Sequence, residues 1–242
     1  MLITSEITKN HYQWIKVPRT ATTAYSKLLY SKFISRMPVL HQHLRYGDFS
    51  LCEECESNNS ISNKIDAFTV VRNPYDRFVS TLYFLNYSRQ IIGKNHEFYD
   101  VCDNCKSSKE IIINTSDFYD FFKDENTFYS FFYDNFFKNC ELKHEDIYRY
   151  TRLGDWTIPV FFKTQMYWAY HPRVKIFKYE NLNEFNSWLE YEFLYDTKKL
   201  TRENYSDKKL VLPIDTSTDK FKALVKYLFH DDFLCFGYDF PI

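Results

Sequence analysis

The chain has 242 residues, 31 Lys and Arg against 32 Asp and Glu, and a formal net charge of −1. That length suits a single α/β domain with a full core, spanning 1–242. The near-zero charge argues against a general nucleic-acid or membrane-surface binder. No apolar run is long enough to cross a bilayer, and no basic region followed by an apolar segment opens the chain. A cytoplasmic protein without a membrane span is therefore expected.

The first informative stretch runs from Trp14 to Tyr25, W-I-K-V-P-R-T-A-T-T-A-Y. It reads as a short buried strand, a tight turn at Pro18 and a helix start. Unpaired backbone N–H groups and the helix dipole favour an anion at such a start. Lys16 and Arg19 add positive charge, and Thr20, Thr22 and Thr23 add hydroxyl donors. The usual phosphate loop is G-x-x-x-x-G-K-[ST], and no Gly occurs before Gly47. The plain alternative is a strand-turn-helix with a Thr-rich cap.

A helix is expected over Ala24–Arg36, ended by Met37-Pro38, then a short extended piece over Val39–Leu44. If that piece is a strand, His41 and His43 point to the same side. Ala67–Val71 is a nearly continuous apolar run with β-branched residues, the pattern of a strand buried on both faces. Asn73 and Pro74 suit the cap and first position of a helix, and Asp76 suits the acid of a capping box. That helix places Phe78, Leu82 and Leu85 on one face. Arg72 ends the strand, and Ser80 lies about two turns into the helix.

These two motifs resemble a family, the sulfotransferases that use 3′-phosphoadenosine 5′-phosphosulfate (PAPS), in particular the heparan and uronyl 2-O-sulfotransferases. The family's V-P-K-T-x-x-T-like loop, which binds the 5′-phosphosulfate, is similar to Val17–Thr23. Its R-[ND]-P-[YIF]-x-R-x-V-S motif, which binds the 3′-phosphate, is similar to Arg72–Ser80. The resemblance implies cofactor contacts from Arg19, Thr20, Ala21, Thr22 and Thr23, and from Arg72 and Ser80. Arg19 stands where the family more often has Lys, and it is planar and bulkier. The resemblance also implies that His43, second in an H-x-H, is the catalytic base and that His41 assists acceptor binding. Sulfuryl transfer is an in-line displacement whose acceptor hydroxyl must lose a proton, a task that suits an imidazole. Arg19 and Lys16 would stabilise the charge growing on the leaving oxygen.

Two C-x-x-C pairs, Cys52 with Cys55 and Cys102 with Cys105, suggest a structural zinc held by four thiolates. Surface thiols, or disulfides in an oxidising compartment, are the alternatives. Cys140 and Cys235 read as plain buried residues. An irregular insertion is expected over 91–112, then an aromatic helical stretch over Asp117–Phe137. Further elements are a helix over Phe161–Tyr170 that includes Gln165, a strand over Arg173–Lys178 and helices over Asn183–Tyr195 and Asp219–Phe229. The Tyr179-Glu180-Asn181-Leu182 segment and the C-terminal ending extend the resemblance, which also suggests Lys208 and Lys209 as further contacts to the 3′-phosphate.

The expected fold is α/β, a three-layer sandwich with a central, mainly parallel sheet, similar to P-loop nucleotide kinases. Arg19 and Arg72 then stand at carboxyl ends of strands, where open α/β sheets bind ligands. The expected activity is transfer of a sulfuryl group from PAPS to a hydroxyl of a carbohydrate acceptor. The alternatives are a nucleoside or nucleotide kinase of the same fold, or a non-catalytic zinc-stabilised binding protein.

Overall fold

The computed structural model describes residues 2–29, 33–35, 65–92, 95–101, 108–114, 123–133, 162–200 and 211–241. Its central sheet is built from β1 (Leu2–Thr4), β2 (His11–Trp14), β3 (Phe33–Ser35), β4 (Asp66–Val71) and β7 (Val174–Lys178), in the order β3-β1-β2-β4-β7. The β2-β4 and β4-β7 pairs are parallel, whereas β1 runs antiparallel to both β2 and β3. The protein is thus α/β with a mixed sheet, parallel where the two motif-bearing strands lie. The expected parallel pairing holds across β2, β4 and β7, and β1 and β3 add an antiparallel flank to it.

β4 behaves as its composition demands: Ala67 to Val71 are all buried. Alternation sends Phe68 and Val70 to one face, where they join Trp14, Phe177, Tyr25, Leu29, Phe185, Leu189 and Phe193. Tyr25 and Leu29 come from α1 (Thr22–Leu29), and the last three come from α5 (Leu182–Phe193), so both helices cover this face. The Tyr25 hydroxyl donates to Asn186 Oδ1 at 2.6 Å, tying α1 to α5. Thr69, buried in β4, donates to the Ile15 carbonyl at 2.8 Å and so extends the β2-β4 pairing past Trp14.

By its contacts the chain divides into two compact units. The first comprises Met1–Asn73, Asp100–Lys109 and Thr164–Tyr205 and holds the sheet. The second comprises Pro74–Tyr99, Glu110–Lys163 and Ser206–Ile242. Its core is aromatic: Phe78, Leu82 and Leu85 of α2 (Pro74–Ile92) pack with Phe128 and Phe132 of α3 (Glu125–Phe132). Phe221, Leu224 and Val225 of α6 (Asp219–Leu228) complete it, with Phe233 of α7 (His230–Phe236). Arg77 is fully buried among them, its guanidinium 5.0 Å over the Phe229 ring and donating to the Lys163 carbonyl at 2.7 Å. The Phe78-Leu82-Leu85 face was legible at helical spacing, as was the start of α2 at Pro74.

Several boundaries moved. The first helix stops at Leu29 rather than Arg36, because Phe33–Ser35 pairs with β1. Tertiary strand pairing outweighs a weak helical preference in so short a segment. Residues 95–101 and 108–114, inside or beside the stretch expected to be irregular, run as β5 and β6 of a separate two-stranded sheet. The helix expected from Phe161 begins at Gln165, as α4 (Gln165–Ala169), with Thr164 accepting from the Tyr167 N–H. The helix expected over Asp219–Phe229 ends at Leu228: the chain breaks at Phe229 and continues as α7, which Gly237 ends at φ 61°. Cys235, expected to be buried, is exposed on α7, whose buried residues are Asp232 and Phe233.

Candidate functional site

Parallel pairing brings three strand ends to one edge of the sheet. Trp14 stands opposite Phe68, and Val71 stands opposite Lys178. The chain therefore leaves β2 through Lys16–Ala21, β4 through Arg72 and β7 through Tyr179 in neighbouring positions along that edge. This is the carboxyl end of the parallel strands, where open α/β sheets carry their ligands.

The β2-α1 loop contains two non-glycine residues in the left-handed region, Arg19 at φ 67° and Ala21 at φ 63°. A Cβ in that region costs roughly 1–2 kcal/mol per residue, so the surrounding structure must over-determine the loop. Strain of this kind gathers at binding sites. Thr20 braces the turn: it is fully buried and donates to the Val17 carbonyl at 2.8 Å. Its hydroxyl proton is therefore engaged inside the loop. Replacing Ala21 by Gly is expected to raise stability by about 1 kcal/mol, because removing the Cβ relieves more strain than the added chain entropy costs. Denaturant unfolding checks this, and a destabilised Ala21→Gly protein would mean the loop is not strained there.

Cations gather at this edge. Lys16 is 4% exposed, and burial holds its ammonium pKa down to about 8. Burial first, and the neighbouring Arg72 second, lower the Arg19 guanidinium to about 10, with the Tyr179 phenol opposing the shift. Arg19 and Arg72 are thus close enough to repel each other, which an anion between them would relieve.

The Lys16 shift makes stability depend on pH. Its folded pKa of about 8 lies below the unfolded 10.5, so between those values the unfolded chain binds more protons. Stability from this group therefore rises as pH climbs through that window. The gain from pH 8 to pH 10 is about 2 kcal/mol. It should vanish in Lys16→Met, whose unfolding curves relative to the natural protein isolate this lysine from the tyrosines. An identical rise in both proteins would remove Lys16 as its source.

Arg72 is held at both ends. Its backbone N–H donates to Gln165 Oε1 at 2.8 Å, and Gln165 Nε2 donates back to its carbonyl at 2.7 Å. Its guanidinium carbon lies 4.6 Å over the centre of the Tyr179 ring. Its Nε is buried and has no hydrogen-bond partner among the described residues. The next N–H, on Asn73, donates to Glu180 Oε1 at 2.7 Å.

Of the residues singled out in the sequence, Lys16, Arg19, Thr20, Ala21 and Thr22 share the first unit with Arg72. Thr22 is buried at the start of α1, and Thr23 belongs to the same turn. Ser80 lies in α2 of the second unit and is half-buried. His41, His43, Cys52, Cys55, Cys102 and Cys105 lie outside the described residues, as do Lys208 and Lys209. Among the described residues no cluster of three or more His, Cys, Asp or Glu is arranged to hold a metal ion, and no helix is long and apolar enough to cross a membrane.

Sequence reading missed Gln165 and Tyr179 as parts of this edge. The only signal for Gln165 was one amide in an otherwise apolar helix, Q-M-Y-W-A, and its partner lies 93 positions away. No protein-family model, curated protein or solved structure compared with this chain matches it.

Proposed function

We propose that this chain is a PAPS-dependent sulfotransferase acting on a hydroxyl of a carbohydrate. The observation that carries the reading is the pair Arg19, in the loop after β2, and Arg72, just past the end of the neighbouring β4, near enough that Arg72 lowers the Arg19 pKa. A desolvated guanidinium with a second one beside it, next to a strained helix-start loop, suits a polyanion. In this reading the β2-α1 loop, with Lys16, holds the 5′-phosphosulfate, while Arg72 takes the 3′-phosphate. The architecture is then a three-layer sandwich of the P-loop nucleotide-kinase kind.

The proposed chemistry is an in-line sulfuryl transfer. The acceptor oxygen attacks sulfur in line, the bond from sulfur to the bridging oxygen breaks, and 3′-phosphoadenosine 5′-phosphate departs. His43 takes the acceptor proton, His41 helps to seat the sugar, and Arg19 and Lys16 stabilise the departing phosphate. The four cysteines of the C-x-x-C pairs would supply the thiolates of a structural zinc.

Calorimetry with 3′-phosphoadenosine 5′-phosphate, set against ATP plus magnesium, tests the reading. Binding of the first in preference to the second is the expected result. A preference for ATP with magnesium would replace it with a nucleotide kinase. Binding of neither would leave a protein that keeps the fold without this chemistry.

A further inference from the structure

We infer that Gln165 and Tyr179 are positioning residues that hold Arg72 ready for an anion, one by its main chain and the other by its guanidinium face. The inference rests on reading the strand-end edge as an anion site, and it assigns two residues to which no motif had given a role.

The argument starts from what Gln165 does. It is fully buried, and its side-chain amide makes both hydrogen bonds that a neighbouring strand would make to the Arg72 peptide. It thereby continues the β4 ladder one residue beyond Val71, the last position paired with β7. Only a group offering a donor and an acceptor in one plane can do this. An ionised carboxylate lacks the donor, and a thioether lacks both strong groups.

Tyr179 fixes the other end. A guanidinium whose carbon lies 4.6 Å over a ring face is held there by cation–π attraction, and its N–H groups lie in its own plane. One of these, on Nε, is buried with no partner among the described residues. An unsatisfied charged donor is costly to bury, and such a group in a folded protein calls for an explanation. A bound oxyanion accepting in the guanidinium plane supplies one. Because the arginine is already immobilised, little side-chain entropy is lost when the anion arrives.

The test measures calorimetric affinity for 3′-phosphoadenosine 5′-phosphate and for inorganic pyrophosphate, at pH 8 and pH 5.5, with melting curves alongside. Gln165→Glu should bind about tenfold more weakly at pH 8 and recover most of that at pH 5.5, where a protonated carboxyl again offers a donor and an acceptor. Gln165→Met should weaken binding at both pH values without recovery. Tyr179→Phe, which keeps the ring face, should stay within about threefold of the natural protein, and Tyr179→Leu should lose about tenfold. A purely structural role would lower melting temperatures without this split between Glu and Met or between Phe and Leu.

Wild-type affinity in Gln165→Glu at pH 8 and in Tyr179→Leu would overturn the inference. If the natural protein binds pyrophosphate but not the nucleotide, the nucleotide reading falls and the variants still judge the clamp. If it binds neither, both fall together.

Discussion

Replacing Arg72 by Ala should lower affinity for 3′-phosphoadenosine 5′-phosphate by about a hundredfold while leaving thermal stability unchanged or slightly raised. The loss follows from removing charge-assisted hydrogen bonds, worth roughly 1.5–3 kcal/mol each. The stability result follows from repulsion: Arg72 depresses the pKa of Arg19, so deleting it relieves Arg19 in the unliganded protein. A residue serving only the fold would show the opposite, a lower melting temperature and unchanged affinity. Arg72→Lys separates charge from shape. It keeps the cation but loses the planar fork whose carbon lies over the Tyr179 ring, so affinity should fall by about tenfold. Calorimetry and melting curves on the same samples decide the matter. Full affinity in Arg72→Ala would remove this residue from the site.

The largest expected effect on stability is Phe68→Ala, a loss of about 4 kcal/mol. Phe68 is fully buried in the middle of β4. Its ring stacks on Trp14 with centroids 6.1 Å apart and meets Trp188 edge-on at 4.8 Å. Phe185 and Phe193 lie 6.0 and 5.9 Å away, and Tyr12 lies at 6.4 Å. Few of these large, rigid neighbours can move to fill the void, so the cavity term adds to the lost transfer energy. Domains are typically stable by only 5–15 kcal/mol, so this one change removes a large fraction of the total. Urea unfolding of the variant is the measurement. A loss below about 1 kcal/mol would show that the ring cluster repacks freely.

The contrast between these two residues separates what residue order makes legible from what it hides. Phe68 could be placed in a buried strand because β-branched and aromatic neighbours with no polar alternation leave a strand few other places to be. Phe78, Leu82 and Leu85 declared their helix face in the same way, by spacing alone. Arg72 could be placed at a strand end because Asn73 and Pro74 announce a helix immediately after it. Each of these is a short-range pattern, decided by the chain's own geometry within a few residues.

The failures are long-range. Phe33–Ser35 reads as part of a helix because nothing nearby in the chain shows that β1 offers it hydrogen bonds. The β3-β1 edge escaped notice for the same reason, since a three-residue strand has too little pattern to be recognised. The α6-α7 break was hidden because Phe229 looks like one more helical aromatic, while its backbone at φ −123° and ψ 24° ends one helix and begins the next. Cys235 looked like a core residue by type, but the orientation of α7 exposes it.

By itself the sequence determined the buried β4 strand, the cationic loop after Trp14 and the helix after Pro74, because local steric and apolar periodicity suffices for those. Only the tertiary structure decided that the ends of β2, β4 and β7 lie along one edge, that Arg19 and Arg72 feel each other's charge, and that Gln165 and Tyr179 hold Arg72 in place. Those facts depend on strand register and on pairs of residues about 50 to 110 positions apart. Electrostatic coupling and side-chain hydrogen bonds act over a few ångströms in space, whatever the separation along the chain.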